Sequence, residues 1–142
     1  MTGLDTTFII QAENIESPLH FKALKLLQKF QKKKEILCLS QQVLTEFIHI
    51  VTDNKRFEKP LSMTEAIRRA EFWIKAKEIK LVSQNNNTAV LFTGWLKQYQ
   101  LGRKRILDTM LAATYFSNGI SRIITSNERD FEIFNCFEII KP

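Results

Sequence analysis

Acidic side chains flank apolar segments at four points along the chain, and carboxylate oxygens are the ligands that hard divalent cations prefer. The four points are Asp5, Glu46, Asp108 and the turn that holds Asn127 and Asp130. They lie about forty, sixty and twenty residues apart, so only a tertiary fold can bring them together. If they converge, they form a pocket for Mg2+ that supports hydrolysis of a phosphodiester bond by a metal-activated water.

Each of these residues also has a structural explanation. Asp5 precedes an apolar helical segment, where Asp is a favoured N-cap. Glu46 on an apolar helix faces solvent by default. Asp108 stands near a predicted helix start, and Asn127 and Asp130 lie in a strand-to-helix turn, so all three could serve as capping or turn residues. The metal-site hypothesis therefore depends on the order and context of the whole set.

A basic tripeptide, Arg103-Lys104-Arg105, lies just upstream of Asp108. Such a tripeptide suits contacts to the backbone phosphates of a nucleic acid, and it equally suits a solvated loop. The formal net charge of +6 and the pI near 9.4 favour polyanionic partners, either nucleic acid or an acidic protein segment. The charge alone does not decide between these two kinds of partner.

The length of 142 residues fits one domain, residues 1–142, with a core of useful size. No apolar stretch is long enough to span a bilayer, and no signal peptide pattern begins the chain, so we expect a cytoplasmic protein without membrane contact. Cys38 and Cys136 lie in apolar runs and are expected to be buried, reduced thiols. With His20 and His49 on helical segments, no zinc-ligand spacing appears.

Short β-like runs alternate with helical patterns, which predicts an α/β fold with a mainly parallel sheet. The strands are predicted at 1–4, 35–39, 79–83, 121–125 and 136–140. The first is weak because Gly3 disfavours a strand; either it is very short or the natural start lies upstream.

Apolar stripes at helical spacing predict the helices between these strands. A short helix follows Asp5, and further helices are predicted at about 17–30, 41–53, 62–74, 87–100 and 106–116. The first of these five begins with Ser17-Pro18 as N-cap and first helical residue, and Ser62 with Glu65 has capping-box spacing. The predicted core faces include Phe21, Leu24, Leu27, Phe30, Leu44, Phe47, Ile48, Val51, Ala66, Ala70, Trp73, Ile74, Val90, Leu91, Trp95, Leu107, Met110, Leu111 and Thr114.

Four motifs in this order resemble the PIN-domain ribonucleases, and most closely the VapC-type toxins of bacterial toxin–antitoxin pairs. The resemblance covers Asp5 to about Phe131, nearly the whole chain. The motifs are Leu-Asp5-Thr, Ser40-Gln-Gln-Val-Leu-Thr-Glu46-Phe, Asp108-Thr-Met-Leu-Ala-Ala-Thr-Tyr and Ile124-Thr-Ser-Asn-Glu-Arg-Asp130-Phe.

The resemblance implies a five-stranded, mostly parallel sheet flanked by helices, with carboxylates gathered around Mg2+ or Mn2+. It also implies cleavage of RNA, a homodimer and silencing by a small cognate antitoxin. Asp5, Glu46 and Asp108 match the three best-marked acids of the family. Asn127 stands where many relatives carry Asp, so either Asp130 supplies the missing charge or Asn127 binds through its carbonyl or a water. This departure leaves open whether the site holds one metal ion or two.

Three neighbouring hydroxyl residues, Thr6, Thr125 and Ser126, are expected to support the acids from a second layer. Other classes of protein fit parts of the same pattern. A PIN-like module that only binds RNA or protein would explain Asn127. A protein-binding regulator would explain the basic charge. A phosphohydrolase with Asp5 as nucleophile, of the haloacid-dehalogenase kind, needs a second acid at position 7, which is Thr.

Overall fold

The strands form a sheet in which every neighbouring pair is parallel. The computed structural model describes residues 1–142. The order across the sheet is β3-β2-β1-β4-β5, with β1 at the centre. This confirms the predicted α/β class and sharpens "mostly parallel" to wholly parallel. The strands are β1 (Thr2–Leu4), β2 (Leu37–Ser40), β3 (Ile79–Val82), β4 (Arg122–Ile124) and β5 (Glu138–Ile140).

The strand order places a crevice beside the centre of the sheet. The chain runs from β1 outward to β2 and β3, and then returns to add β4 on the other side of β1. In open parallel sheets, ligands bind at such a reversal, outside the carboxyl ends of the strands. Leu4 of β1 lies in register with Ile124 of β4, so Asp5 and Thr125 emerge side by side at that edge.

Seven α-helices flank the sheet, and several begin at a side-chain cap. Asp5, Ser40, Ser62 and Asn85 each accept a hydrogen bond from a backbone N–H in the first turn that follows. The helices are α1 (Thr6–Glu13), α2 (His20–Lys32), α3 (Gln41–Val51), α4 (Met63–Lys75), α5 (Asn86–Gln98), α6 (Ile106–Ser117) and α7 (Glu128–Glu132), and a 3-10 turn (Arg103–Arg105) precedes α6.

The prediction for the start of α2 was wrong by two residues. The helix begins at His20 instead of at Ser17-Pro18, and its N-cap Leu19 has no side-chain hydrogen bond. The Ser17 hydroxyl accepts the Leu19 N–H at 3.2 Å, which holds a turn before the helix. The Ser side chain is thus used by that turn, a common alternative to capping.

The predicted core faces were wrong at four apolar positions. Phe21 on α2 is 82% exposed, because this helix buries the stripe centred on Ala23 and Phe30. Ile74 on α4 is 41% exposed, and Val90 on α5 and Leu107 on α6 are 74% and 59% exposed. An apolar periodicity has more than one possible phase, and packing against the sheet selects one.

The predicted capping box of α4 forms only in part. Ser62 accepts the Glu65 N–H at 3.2 Å, but the Glu65 carboxylate binds Arg68 and Arg69 instead of the Ser62 backbone. These two arginines lower the pKa of Glu65 to about 2. A complete box is found at α5, where Asn85 and Thr88 each bind the other's backbone N–H.

Tyr115 of α6 lies at the centre of the buried core, beneath the two middle strands. Its hydroxyl donates to the Leu4 carbonyl at 2.5 Å and to the Cys38 carbonyl at 3.2 Å. A Cβ atom at position 3 would lie 2.8 Å from two atoms of the Tyr115 ring. Gly3 is therefore required in β1 by the close approach of this ring, which explains a strand that looks weak in sequence.

Both cysteines are free thiols, as predicted; the predicted burial is confirmed for Cys38 and was wrong for Cys136, which is partly exposed. No helix combines the length and the apolar content needed to cross a bilayer.

Gly3→Ala is expected to destabilise the protein by about 1–3 kcal/mol, because the ring that meets the new methyl group is fully buried and fixed by two hydrogen bonds. Gly94→Ala is the matched control. Position 94 lies inside α5 with no atom near the new methyl group, so this change should stabilise by about 0.5–1 kcal/mol. Urea unfolding of both variants measures the difference. Equal stabilities for the two variants would contradict the packing described for Tyr115.

Candidate active site

Asp5 is a buried carboxylate at the carboxyl end of the central strand. It is 7% exposed and serves as the N-cap of α1, with its Oδ1 accepting the Thr6 N–H at 2.8 Å. Its Oδ2 accepts the hydroxyls of Thr7 and Thr125, each at 2.7 Å. The capping role and the site role proposed from sequence are therefore compatible, since one carboxylate oxygen caps the helix and the other is oriented by two hydroxyls.

Glu46 of α3 is joined to the same end of the sheet by two polar contacts. The Thr6 hydroxyl donates to its Oε2 at 2.8 Å, and Gln42 Nε2 donates to its Oε1 at 2.8 Å. The same Gln42 amide also donates to the Leu107 carbonyl at 2.9 Å. This bridge fixes the first turn of α6 beside α3, and Asp108 is the next residue along that turn.

Asp108 and Asp130 share one arginine. Arg105 Nη1 lies 3.3 Å from Asp130 Oδ1, and its Nε lies 3.8 Å from Asp108 Oδ2. Arg105 Nη2 also donates to the Asp130 carbonyl at 2.6 Å. The guanidinium, only a quarter exposed, thus ties the start of α6 to α7 and partly balances the two acids.

The acids interact through their charges, and their pKa values show it. The pKa of Asp108 is raised from 3.8 to about 6, first by burial and then by Asp130, with smaller contributions from Asp5 and Glu46 against the opposing effect of Arg105. The pKa of Asp5 is also raised, chiefly by burial, although its hydrogen bonds oppose the shift. Asp5, Glu46 and Asp130 are therefore each close enough to Asp108 for their charges to act on it.

Asn127 and Ser126 occupy the loop between β4 and α7 but do not bind these acids. The Asn127 side chain is exposed and makes no hydrogen bond to a carboxylate, while its backbone N–H donates to the Thr125 hydroxyl at 2.9 Å. Ser126 exchanges hydrogen bonds with the Gln11 side chain at 2.8 and 2.9 Å. Its contacts hold the loop against α1 and leave the direct support of Asp5 to Thr125.

The basic tripeptide divides into two parts. Arg103 and Lys104 are exposed on the 3-10 turn and make no ion pair. Arg105 points the other way, into the acids, where it pairs with Asp108 and Asp130; its contact with an RNA backbone stays a prediction. The physical reason is the shared negative charge of Asp108 and Asp130, which attracts the nearest guanidinium.

The donor set at this edge contains only oxygen ligands, which suits Mg2+ or Mn2+. No group of three or more His, Cys, Asp or Glu side chains is arranged closely enough to enclose a metal ion. Mg2+ usually takes one or two carboxylates and fills its remaining positions with water, so such an open arrangement fits this cation. The pKa values of Asp5 and Asp108 are raised chiefly by burial, which disfavours their charged forms, and a bound cation would favour those charged forms.

A protein-family model described as "PIN domain" matches residues 4–134. The chain belongs to the PIN domain family. The resemblance stated from the motifs is therefore confirmed, and residues Asp5 to Asp130 all lie within the matched segment.

A named relative and several solved structures resemble the chain over its whole length. A Mycobacterium tuberculosis protein named "Ribonuclease VapC24" is 22% identical over 144 residues, covering all of this chain and 97% of its own. The structure of Mycobacterium tuberculosis VapC20, titled a "Sarcin-Ricin loop cleaving toxin", has a TM-score of 0.74 at 17% identity and full coverage of both chains. A DNA-bound VapBC from Salmonella typhimurium has a TM-score of 0.69 at 20% identity, with 99% and 98% covered. At these identities the structures establish the fold.

Sequence reasoning missed two residues of the PIN domain site. Thr7 was noted only because it is not an acid, yet its hydroxyl orients Asp5. A hydroxyl two residues after an Asp N-cap is a recognisable signal for such a contact. Gln42 lies one helical turn before Glu46, a spacing at which side chains on one face meet. Its second bond, to Leu107, had no signal in the sequence.

Asp108→Asn is expected to stabilise the metal-free protein at pH 8 by on the order of 1 kcal/mol. This value is smaller than the pKa shift alone implies, because the side chain is 35% exposed and solvent screens its charge. Between about pH 4 and pH 6 the folded protein keeps a proton on Asp108 that the unfolded chain has released. The free energy of unfolding of the wild type therefore falls as the pH rises from about 4 to about 6. Over the same range the extra stability of Asp108→Asn relative to wild type grows from near zero. Thermal unfolding in EDTA across this range measures it.

Glu58→Gln removes an exposed acid outside the site and serves as the control for that titration. Its stability relative to wild type should vary little over the same pH range. An Asp108→Asn protein that is less stable than wild type at pH 8 would show that Asp108 is not held against neighbouring negative charge.

Proposed function

We propose that this protein is a metal-dependent endoribonuclease that uses Mg2+ or Mn2+ and acts as the toxin of a toxin–antitoxin module. The observation that carries the proposal is the network that links Asp5, Glu46, Asp108 and Asp130 through Thr6, Gln42 and Arg105 in a PIN domain. The substrate class is supported by the relative named "Ribonuclease VapC24" and by the structurally similar "Sarcin-Ricin loop cleaving toxin".

The residues proposed to hold the cation are Asp5, Glu46 and Asp108, with Asp130 or Asn127 completing the set. When bound, the cation supplies the positive charge that makes a water acidic enough to act as a nucleophile and that offsets charge developing on the phosphate. Asp130 supports this set better than Asn127, because Asp130 interacts electrostatically with Asp108 whereas the Asn127 side chain is exposed.

The protein's own side chains prepare the site by orientation. Thr7 and Thr125 fix one oxygen of Asp5, and Thr6 fixes one oxygen of Glu46. Each hydroxyl also restricts the rotation of the carboxylate that it binds, which would otherwise turn away from the neighbouring acids. His20 and His49 are not among the groups that contact the acids, so the site is assembled from carboxylates and hydroxyls without a histidine base.

The proposed partner is a small cognate antitoxin, because solved neighbours are complexes of toxin with antitoxin. An apolar groove between α2, α4 and β3, with Leu24, Leu27 and the 68%-exposed Phe72 in its lining, offers a surface that a partner could cover. We also propose a homodimer, for which exposed apolar side chains on α5 and α6 such as Val90 and Leu107 are suitable. A cytoplasmic location follows from an RNA substrate and a protein antitoxin.

A second candidate function is a PIN-like module that binds RNA or protein without efficient cleavage. The observation in its favour is Asn127, which replaces an acid that the family resemblance places at this position. The charge of Asp130 weighs against it, since that carboxylate already interacts with Asp108. The two functions differ in whether RNA is cut when a divalent cation is added.

Asp5→Asn and Asp108→Asn are each expected to reduce RNA cleavage at least about 100-fold, because each removes a proposed ligand. Thr125→Val, which removes one hydroxyl from Asp5, should reduce it about 10–100-fold. EDTA should abolish cleavage by the wild type, and added Mg2+ or Mn2+ should restore it. The measurement is the initial rate on a defined RNA with each variant purified alike.

Glu58→Gln is the matched control for lost negative charge and should cleave at the wild-type rate. Cleavage that persists in EDTA, or that survives both Asp→Asn substitutions, would show that the assigned site is wrong. A wild type that binds RNA but never cuts it with either metal would favour the binding module.

A further inference from the structure

The exposed side of α2 carries an unbroken row of lysines, which we call the lysine face. At 100° per residue the five lysines of the helix and its C-cap fall within an arc of about 100°, so they share one side. Lys141, after the last strand, lies beside them, and together they line a shallow hollow with only one apolar residue, Leu26. The lysine face consists of Lys22, Lys25, Lys29, Lys32, Lys33 and Lys141.

The charges of this face are almost unopposed. No acidic residue occurs in α2, and none of its lysines forms an ion pair. Lys141 alone has a partner, Glu128. The nearby Glu35 is already bound to Arg122 and to the Thr2 hydroxyl.

The lysine face also holds the equivalent of the whole net charge of the protein. The chain has 21 basic and 15 acidic residues, a net charge of +6, and the face has six lysines, so the remainder is neutral overall. The acid site at the edge of the sheet repels a polyanion until a cation is bound. Attraction for RNA is therefore expected from basic residues outside the acids: Arg103 and Lys104 supply two exposed charges, and the lysine face supplies six, five of them without an ion-pair partner.

Helix stability does not explain the row. Lysines near the C-terminus of a helix are favourable because they interact with the helix dipole, and Lys29 and Lys32 occupy that last turn. Lys22 and Lys25 lie too far from it, and like charges three or four residues apart destabilise a helix. Repulsion among these lysines therefore destabilises the isolated helix slightly, which is expected of a surface that binds a partner of opposite charge.

We propose that the lysine face binds the phosphate backbone of the RNA substrate at a distance from the acids; this rests on the proposed function. From Lys22 to Lys33 the row extends about 16 Å along the helix axis, long enough to follow several phosphates. Lysine ammonium groups act as point charges without reading bases, so this contact positions the RNA irrespective of its sequence. It would strengthen binding while leaving the chemistry to the acids.

The test compares two triple variants that lose the same charge. Lys25→Gln/Lys29→Gln/Lys32→Gln removes the centre of the lysine face. Lys55→Gln/Lys59→Gln/Lys77→Gln removes three exposed lysines elsewhere, none of which forms an ion pair. Gln and Lys have similar helix propensities, so α2 should remain folded, and circular dichroism checks this. Binding of a short single-stranded RNA is measured in EDTA over a range of KCl concentrations.

The lysine-face variant is expected to bind RNA at least about tenfold more weakly at low salt. Its slope of log affinity against log salt should shrink by about 2, since each phosphate contact contributes about 0.7 for a single strand. In the cleavage assay its KM should rise while kcat is retained. The control variant should keep a slope close to that of wild type.

Equal losses in the two variants would overturn the proposal, because net charge alone would then explain binding. Unchanged RNA binding, with loss of binding to poly-glutamate, would overturn it in favour of an acidic protein partner. If the wild type binds RNA through the lysine face but never cleaves it, the inference stands and the proposed nuclease function fails.

Discussion

The arrangement depends on keeping a nearly buried carboxylate, Asp5, at the carboxyl end of the central strand. Burial disfavours its charged form, while three donors, the Thr6 N–H and the hydroxyls of Thr7 and Thr125, favour it. Those donors come from α1 and from the end of β4, so the sheet register itself sets the geometry. Glu46 is tied to the same turn through Thr6, which makes the first helix a shared support for two acids.

Packing beneath the sheet fixes the strand ends that carry these acids. Tyr115 binds the Leu4 carbonyl directly before Asp5, and also binds the neighbouring strand at Cys38. Gly3 makes that approach possible by having no side chain. On the other side, Arg105 holds Asp108 and Asp130 near each other while offsetting part of their repulsion. Negative charge is thus concentrated at one edge of the sheet, and unpaired positive charge along α2.

Residues that follow a strand could be placed from the sequence, because parallel strands bring their carboxyl ends to one edge. Asp5, Thr125 and the α/β fold were predictable on that basis. The role of Arg105 was not, since sequence distance does not show that the guanidinium turns toward Asp130, 25 residues away. Four apolar residues were wrongly assigned to the core, because apolar periodicity leaves the phase of a helix to tertiary packing: Phe21, Ile74, Val90 and Leu107. The need for glycine at position 3 became visible only with the Tyr115 ring in place.

Direct titration of the protein with Mn2+ by calorimetry, in the absence of RNA, tests most directly whether the converging acids form a cation site. The metal should bind the wild type and release protons near pH 6, where Asp108 is half protonated. Binding should be lost or greatly weakened in Asp5→Asn and Asp108→Asn and should be unchanged in Glu58→Gln. Equal Mn2+ affinity in the wild type and in both Asp→Asn variants would contradict the proposed metal site.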